Sequence, residues 1–279
     1  MSDSPSHCGN CAAPLTGPFC AQCGQSAHES ARSMHALFHD GWHSLTHLDG
    51  RLWRTLGLLL WKPGEVSRQF IANRRASFLP PFRLYLVLSL LFFGLFSTTR
   101  NEDIMRVQFT VSERETVCQD LKVRPQWLAE RMRATCRKAL ADEGASLRDA
   151  FVASLPRAMF LFLPLIAAGM LLLYWRPRRW YVEHLVFFLH NHSAAFLVGS
   201  AVALVQLAAR AWPALSAVAS FTVAGMFCWL AVYLFLAMRR FYGQGRRRTF
   251  AKLLVISLFY AMSMVLMVGL TALYSALTL

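Results

Sequence analysis

Five long apolar runs divide the chain, and shorter polar segments separate them. Each run approaches the roughly 20 residues that a helix needs to cross about 30 Å of hydrocarbon. Since backbone groups in lipid must be satisfied within the segment, such runs indicate helices. The pattern predicts an all-α integral membrane protein with five transmembrane helices, a bundle over 81–279. The predicted spans are 81–97, 155–175, 182–209, 213–238 and 250–277.

The third predicted span is the most polar of the five. Glu183-His184 opens it, and His190-Asn191-His192 follows within the apolar run. Ionisable groups inside a span are costly against lipid and usually face a cavity or a partner. Glu183 and His190 share a helix face but stand about 10 Å apart along the axis. Two interpretations stay open: internal hydrogen bonds between bundle helices, or ligands of a metal whose other ligands come from another segment.

A second histidine pattern precedes the first span. His35, His39, His43 and His47 recur every four residues, and apolar side chains such as Trp42 fall on the opposite side of the predicted helix. Imidazoles at this spacing are neighbours and can present metal ligands or pass protons, whereas the alternative is a hydrated polar face. The hypothesis of a second metal site therefore draws on both clusters. Its candidate ligands are His39, His43, His47, Asp49, Glu183, His184 and His190.

The segment between this helix and the first span predicts further amphipathic structure, so that 30–79 forms a cytoplasmic region of interfacial helices. An apolar stretch covers 52–61, and Lys62-Pro63-Gly64 predicts a turn. A short helix follows, with Val66, Phe70 and Ile71 on one side and arginines on the other. This distribution is suited to a helix that lies in the membrane interface.

The basic residues set the predicted orientation. The net charge is +14, and the arginines cluster before span one, between spans two and three, and between spans four and five. By the positive-inside rule, the N-terminus is cytoplasmic and the C-terminus extracytoplasmic. The positive charge therefore indicates membrane orientation, and we expect no nucleic-acid partner. The clusters also offer contacts to anionic lipid headgroups. The candidates are Arg74, Arg75, Arg178, Arg179, Arg246 and Arg247.

Four cysteines near the N-terminus form two close pairs. Cys8, Cys11, Cys20 and Cys23 have the spacing Cys-x2-Cys, eight residues, Cys-x2-Cys. Four thiolates in this pattern can close a tetrahedral shell around Zn2+, which predicts a zinc ribbon over residues 1–28. Such a shell has no open position, so the zinc is structural. Two disulfides are the alternative and need an oxidising compartment, whereas the predicted topology places this segment in the cytoplasm.

The segment 100–154 is predicted to be a small extracytoplasmic insert between spans one and two. Val107, Phe109 and Val111 alternate as in a strand, and a helix is expected to begin near Pro125. Cys118 and Cys136 are its two cysteines, and outside the cytoplasm they are predicted to form a disulfide. Cys228 lies in span four and is interpreted as a packing residue.

The chain resembles an uncharacterised bacterial inner-membrane family, a domain of unknown function. The resemblance rests on the ribbon, on His39-Asp40 through Thr55, on Pro63-Gly64 through Pro81-Phe82, and on the histidines of span three. Members of that family pair an N-terminal zinc ribbon with a Pro-Gly, Gly-Lys-Arg, Pro-Phe signature that leads into the first span. Here Asn73-Arg74 stands where the signature reads Gly-Lys. The resemblance implies the architecture and an inner-membrane location, and it implies no activity.

Two classes of function are compatible with these features. In the first, the protein is a non-enzymatic scaffold, partner-binding or lipid-handling protein, whose ribbon binds a cytoplasmic protein and whose bundle contacts membrane lipid. In the second, the histidine clusters form a membrane-embedded metal site of a metalloenzyme or of a metal or proton conduit. No Walker loop, dinucleotide fingerprint or nucleophile elbow is present. The first class is favoured because it needs only the ribbon, whereas the second needs the two histidine clusters to meet.

Overall fold

The computed structural model describes residues 6–27, 50–98, 118, 124–142, 145–176 and 178–278. In this part of the chain the regular structure is helical, apart from two isolated β-bridges in the ribbon. A 3-10 turn, Pro213–Leu215, precedes the seventh helix. The helices are α1 (Arg51–Trp61), α2 (Glu65–Ile71), α3 (Pro81–Thr98), α4 (Gln126–Ala141), α5 (Ala145–Leu173), α6 (Tyr181–Ala211), α7 (Ser216–Tyr242) and α8 (Arg246–Thr278).

Within the described residues, five helical segments are long and apolar enough to cross a membrane, in agreement with the predicted number of spans. Most of their limits lie within a few residues of the predicted ones, as is usual for helix ends. The last segment ends at Met267, although α8 continues to Thr278. The segments are Pro81–Thr98, Ala153–Leu173, Tyr181–Ala211, Pro213–Tyr242 and Arg246–Met267. These five segments indicate a polytopic membrane protein.

The chain divides into two compact units. The first unit comprises residues 1–99 and 163–255, and α6 is its central helix, in contact with α1, α2, α3 and α7. Every position of α6 from Val182 to Ala194 is buried. Further along α6, Phe196 stacks on Phe92 of α3 at 5.4 Å between ring centroids. Gly199 lies so close to Phe92 that a Cβ there would approach its ring to 2.7 Å.

The predicted turn at Lys62-Pro63-Gly64 is present, and it is pressed against α7. Gly64 has a φ of +77°, and a Cβ at this position would lie 2.5 Å from the carbonyl oxygen of Ala237. The Arg240 guanidinium donates a hydrogen bond to the Pro63 carbonyl oxygen at 2.6 Å. Glycine therefore meets two demands here, a left-handed backbone and close approach to another helix.

The sequence predicted that α2 lies in the membrane interface. This prediction is wrong for the apolar side of the helix, which packs inside the protein. Val66 and Phe70 are buried within the protein, at 1% and 6% exposure. Phe70 contacts the ring of His190 on α6, and the intervening Ser67 is fully buried as well. Sequence periodicity identified the apolar face but did not distinguish lipid from a neighbouring helix as its partner, since both bury apolar area.

The second unit comprises residues 100–162 and 256–279. α4 begins directly after Pro125, as predicted, and Cys136 in α4 is bonded to Cys118 with a Cα–Cα distance of 5.8 Å. Within the same unit, Phe162 stacks on Phe259 with ring centroids 6.3 Å apart. The strand predicted around Phe109 lies outside the described residues.

Candidate metal centre and its contact with the membrane bundle

The four N-terminal cysteines lie in two knuckles with the same backbone geometry. In the first, the Ala12 N–H donates to the Cys8 carbonyl oxygen, and in the second the Gly24 N–H donates to the Cys20 carbonyl oxygen, both at 2.9 Å. Ala12 and Gly24 both have a positive φ, of 61° and 73°. Each Cys-x2-Cys segment therefore folds back tightly and turns its two sulfurs to the same side.

The four sulfurs converge on one point. They all lie within 4.8 Å of one another, and the pairs Cys8–Cys23 and Cys11–Cys20 are 3.5 Å apart. A tetrahedron with Zn–S bonds of about 2.3 Å places its sulfurs roughly 3.8 Å apart, so the arrangement fits a zinc ion with small adjustments. The four cysteines can therefore hold a metal ion, as the sequence predicted.

The backbone around two of these sulfurs favours thiolates. N–H groups of Cys11 and Asn10 directed at the Cys8 sulfur lower the pKa of that thiol to about 6, against the opposing effect of burial. The pKa of Cys20 is lowered too, by the N–H groups of Cys23 and Gln22. The Ala13 N–H acts in the same direction on Cys11, but hydrogen bonds to the Cys20 and Cys23 sulfurs raise the pKa of Cys11 to about 12. A cation would relieve this competition for protons, because metal ligation requires the thiolate form.

The buried side chain of Gln25 attaches the ribbon to the loop between α2 and α3, which also donates a hydrogen bond from Ser77 to Asn10 of the ribbon. The Gln25 amide nitrogen donates to the Asn73 carbonyl oxygen at 2.8 Å. Its amide oxygen accepts from the backbone N–H groups of Arg75 and Ala76, at 3.0 and 3.1 Å. Gln25 thus satisfies three backbone groups of a loop about 50 positions away in the chain, and we call this arrangement the Gln25 clamp.

Asn73 is the second anchor of the same contact. It has a φ of +68° and follows Ala72, the C-cap of α2. Helices commonly end with a left-handed residue at this position, usually glycine and sometimes asparagine. The Asn73 side chain also lies against Gly9 of the ribbon, where a Cβ would approach the Asn73 amide nitrogen to 2.7 Å. The asparagine therefore adopts the left-handed turn and adds a side chain that contacts the ribbon.

His184 and Glu183 of α6 have side-chain partners elsewhere in the chain. Asn191, His192 and Ser193 are hydrogen-bonded to carbonyl oxygens one turn earlier in α6. His184 Nδ1 and the Tyr242 hydroxyl share a hydrogen bond of 2.7 Å. The Tyr242 ring stacks on Tyr174 at 3.8 Å between centroids, and the Lys252 ammonium lies 3.5 Å from the centroid of the Tyr174 ring. Glu183, at the start of α6, accepts a hydrogen bond from the Arg179 guanidinium at 2.9 Å. These contacts support the interpretation as internal hydrogen bonds.

His190 joins α6 to the short helix α2. Its Nδ1 lies 3.0 Å from the Ser67 hydroxyl, and both side chains are buried. The Nε2 atoms of His190 and His184 are also buried, and neither has a hydrogen-bond partner in the described part of the protein. Metal-binding histidines are commonly oriented by a hydrogen bond at one ring nitrogen while the other binds the metal, and both histidines are oriented through Nδ1 in this way.

The described residues do not form a second metal site. Within the described ranges, the four cysteines are the cluster of at least three potential ligands that could hold a metal ion. His184 and His190 are six positions apart, so they point to different sides of α6. His39, His43, His47 and Asp49 lie outside the described residues, and the two-cluster site stays a prediction.

The predicted headgroup contacts divide into two groups. Arg74, Arg178, Arg246 and Arg247 are exposed. The others have partners within the protein: Arg75 donates to the Asn73 side-chain oxygen, and Arg179 pairs with Glu183. Cys228, interpreted as a packing residue, is exposed instead.

Sequence reasoning missed three functional positions, namely Gln25, Ser67 and Tyr242. Gln25 stands two residues after Cys23, the last cysteine of the ribbon, and belongs to no periodic pattern in the sequence. Ser67 and Tyr242 act through residues 123 and 58 positions distant. One signal was available: Ser67 lies on the apolar side of a short amphipathic helix, where a polar residue usually has a hydrogen-bond partner.

Comparison with known proteins gives one family match. A family model described as a protein of unknown function (DUF3667) matches residues 49–93. The matched segment runs from α1 through α2, the Asn73 loop and most of α3, so it contains one half of the Gln25 clamp. No curated protein and no solved structure matches the chain. The match fits an uncharacterised family and assigns no activity.

Proposed function

We propose that this protein is a non-enzymatic membrane platform whose zinc-folded ribbon binds a cytoplasmic protein. The zinc would be structural, since four thiolates leave no open position for substrate. The observation that carries the proposal is the Gln25 clamp. A ribbon held to the α2–α3 loop by the Gln25 clamp and by the Ser77–Asn10 hydrogen bond presents a surface in fixed orientation. A flexibly tethered ribbon would bind independently of the membrane domain.

The outer surface of the ribbon offers a contact point. Phe19 is 64% exposed, and it stands on the second knuckle next to Cys20. Aromatic residues contribute disproportionately to protein interfaces because they bury a large area at little entropic cost. We therefore place the partner-binding surface around Phe19, on the cytoplasmic side of the membrane as the arginine clusters indicate.

Zinc analysis of the purified protein tests the structural part of this proposal. We expect one zinc per chain in the wild type and none in Cys20→Ser, with the five spans still inserted. Gln25→Ala should keep its zinc but expose the amides of Arg75 and Ala76 to faster hydrogen exchange. A zinc-free wild-type protein, or unchanged exchange in Gln25→Ala, would contradict the clamped zinc ribbon.

Photocrosslinking in cells tests the partner-binding part. A photoreactive residue at position 19 should give a discrete adduct that disappears in Cys20→Ser and weakens in Gln25→Ala. The same probe at Gly245, an exposed position in the loop between α7 and α8 with open space around it, serves as the matched control. Adducts that persist without zinc, or that form equally from position 245, would exclude the ribbon as a specific docking surface.

A second candidate function is a membrane-embedded metal site, and one observation favours it. The buried, unpartnered Nε2 atoms of His184 and His190 are available as ligands. The remaining ligands would come from His39, His43, His47 and Asp49. Neutral imidazoles and carboxylates suit zinc or iron better than copper(I).

Metal content separates the two candidates. If the second site exists, the wild type carries more metal than the ribbon explains, and the excess is lost on acidification toward the histidine pKa of about 6.5. Replacing His43 and His184 together should then remove the excess and leave the ribbon zinc. One zinc per chain, unchanged in that double variant, would leave the platform as the remaining function.

A further inference from the structure

Helix α1 has two faces with opposite environments. Its inner face is fixed to the bundle: the Thr55 hydroxyl accepts a hydrogen bond from the Leu79 N–H at 3.1 Å, and the Leu59 carbonyl oxygen accepts one from the Tyr233 hydroxyl at 2.8 Å. Thr55 and Leu59 are accordingly buried. The rotation of α1 about its own axis is therefore set by hydrogen bonds to α7 and to the residues that lead into α3.

The outer face of α1 carries two exposed tryptophans. Trp53 and Trp61 are 76% and 85% exposed, and Gly57 stands midway between them at the same four-residue spacing. A Cβ at Gly57 would have no atom within 4 Å. The two indoles thus stand about 12 Å apart along the helix, with an open notch between them.

Basic side chains accompany this face. Arg51, Arg54 and Lys62 are exposed, and α1 contains no acidic residue. A helix with tryptophan and leucine on one side and arginine or lysine around it is suited to the lipid interface, where indoles lie at headgroup level and cations meet anionic lipids.

The contacts with α7 place α1 near the membrane boundary. α7 has 27 residues and is therefore about 40 Å long, which exceeds the roughly 30 Å of hydrocarbon. Tyr233, which holds Leu59, lies about 13 Å from the end of α7, and Arg240, which holds Pro63, lies close to that end. The α1 to α2 turn is thus at the level where the spans leave the hydrocarbon.

We propose that the Trp53–Gly57–Trp61 face of α1 is a membrane-contact surface that rests in the headgroup region of an anionic bilayer. The interfacial role expected of α2 belongs to α1, while α2 packs inward. This surface is distinct from the ribbon surface of the proposed function and does not depend on the ribbon having a partner.

Three glycines provide a ruler for testing this placement. Gly57 is the test position; Gly225, exposed in α7, reports hydrocarbon; and Gly245, exposed between α7 and α8, reports water. A Cβ would meet no atom within 4 Å at any of the three. Each is changed to cysteine in zinc-loaded Cys228→Ser protein, spin-labelled, and reconstituted in vesicles of phosphatidylcholine with or without phosphatidylglycerol.

Collision of the label with oxygen and with a water-soluble nickel chelate gives its depth. We expect the oxygen-to-nickel ratio at position 57 to lie several-fold above that at 245 and below that at 225, and to rise when phosphatidylglycerol is present. The rise should disappear in Arg54→Gln/Lys62→Gln. A ratio equal to that at 245 would mean that the face is in water. Protection from both reagents would mean that another protein segment or a second copy covers it. Either result overturns the proposal.

Discussion

Helices α6 and α8 are both long enough and apolar enough to span a membrane, yet their surroundings differ sharply. The first half of α6 is buried on all sides and carries charged and polar side chains. α8 keeps most of its described large apolar residues exposed, including Leu258, Met262 and Val265. Hydropathy identifies both as spans but does not distinguish a helix surrounded by other helices from one that is mostly exposed. The polar residues make this distinction, because they are tolerated where other helices supply partners.

The same contrast explains how each helix is held. α6 is tied to other elements by His184–Tyr242 and Ser67–His190, with both hydrogen bonds between buried side chains. In α8, the Ser263 hydroxyl donates to the Phe259 carbonyl oxygen one turn earlier, so this bond is satisfied within the helix itself. Substitutions in the buried half of α6 should therefore disturb the tertiary structure. Substitutions at exposed positions of α8 should have little effect on it, because fluid lipid can adapt to the new side chain.

The largest difference is expected from added volume. Ala194 in α6 is fully buried, and Ala261 in α8 is exposed. Ala194→Phe should lower the free energy of unfolding by about 1–3 kcal/mol or more, because a packed interior accommodates extra atoms only with strain. Ala261→Phe should change it by less than about 0.5 kcal/mol. Equilibrium unfolding in mixed detergent micelles measures both, and equal midpoints would break the comparison.

A smaller effect is expected from the His184–Tyr242 hydrogen bond. His184→Phe should cost about 1–3 kcal/mol, because it leaves the buried Tyr242 hydroxyl without its partner. Adding Tyr242→Phe should cost less than the sum of the single changes, since both ends are then apolar. Ser263→Ala in α8 is the matched control and should be nearly silent. Strict additivity in the double variant would mean that the two side chains do not interact.

The smallest effect per residue should be seen in orientation. Because most described residues of α8 beyond Lys252 are exposed, we expect its direction to depend on Arg246, Arg247 and Arg248. A reporter fused after Leu279 should be active in the wild type only if it works outside the cytoplasm. Replacing the three arginines with alanine should give a mixed population. Arg176→Ala/Arg178→Ala, before the packed α6, is the control and should keep one orientation. Cytoplasmic activity in the wild type would indicate an even number of spans.

The sequence predicted the spans, the four-cysteine cluster and the start of α4 because each depends on local composition. Twenty apolar residues span lipid whatever their neighbours are, and two Cys-x2-Cys segments converge through their own backbone turns. The environment of α2 was predicted wrongly for a related reason. The sequence pattern of its apolar face is the same whether lipid or α6 covers it. Only the contact between His190 and Ser67 shows that the neighbour is α6.

The sequence by itself determined which segments are helical, which of them can cross a membrane and which thiolates can share a metal. Only the tertiary structure decided that Gln25 joins the ribbon to the Asn73 loop, that α2 faces α6, and that α1 presents its tryptophans outward. These arrangements depend on hydrogen bonds between residues separated by 24 to 174 positions. A hydrogen bond between such residues requires that packing first bring distant segments together. Which segments meet cannot be inferred from a local sequence pattern.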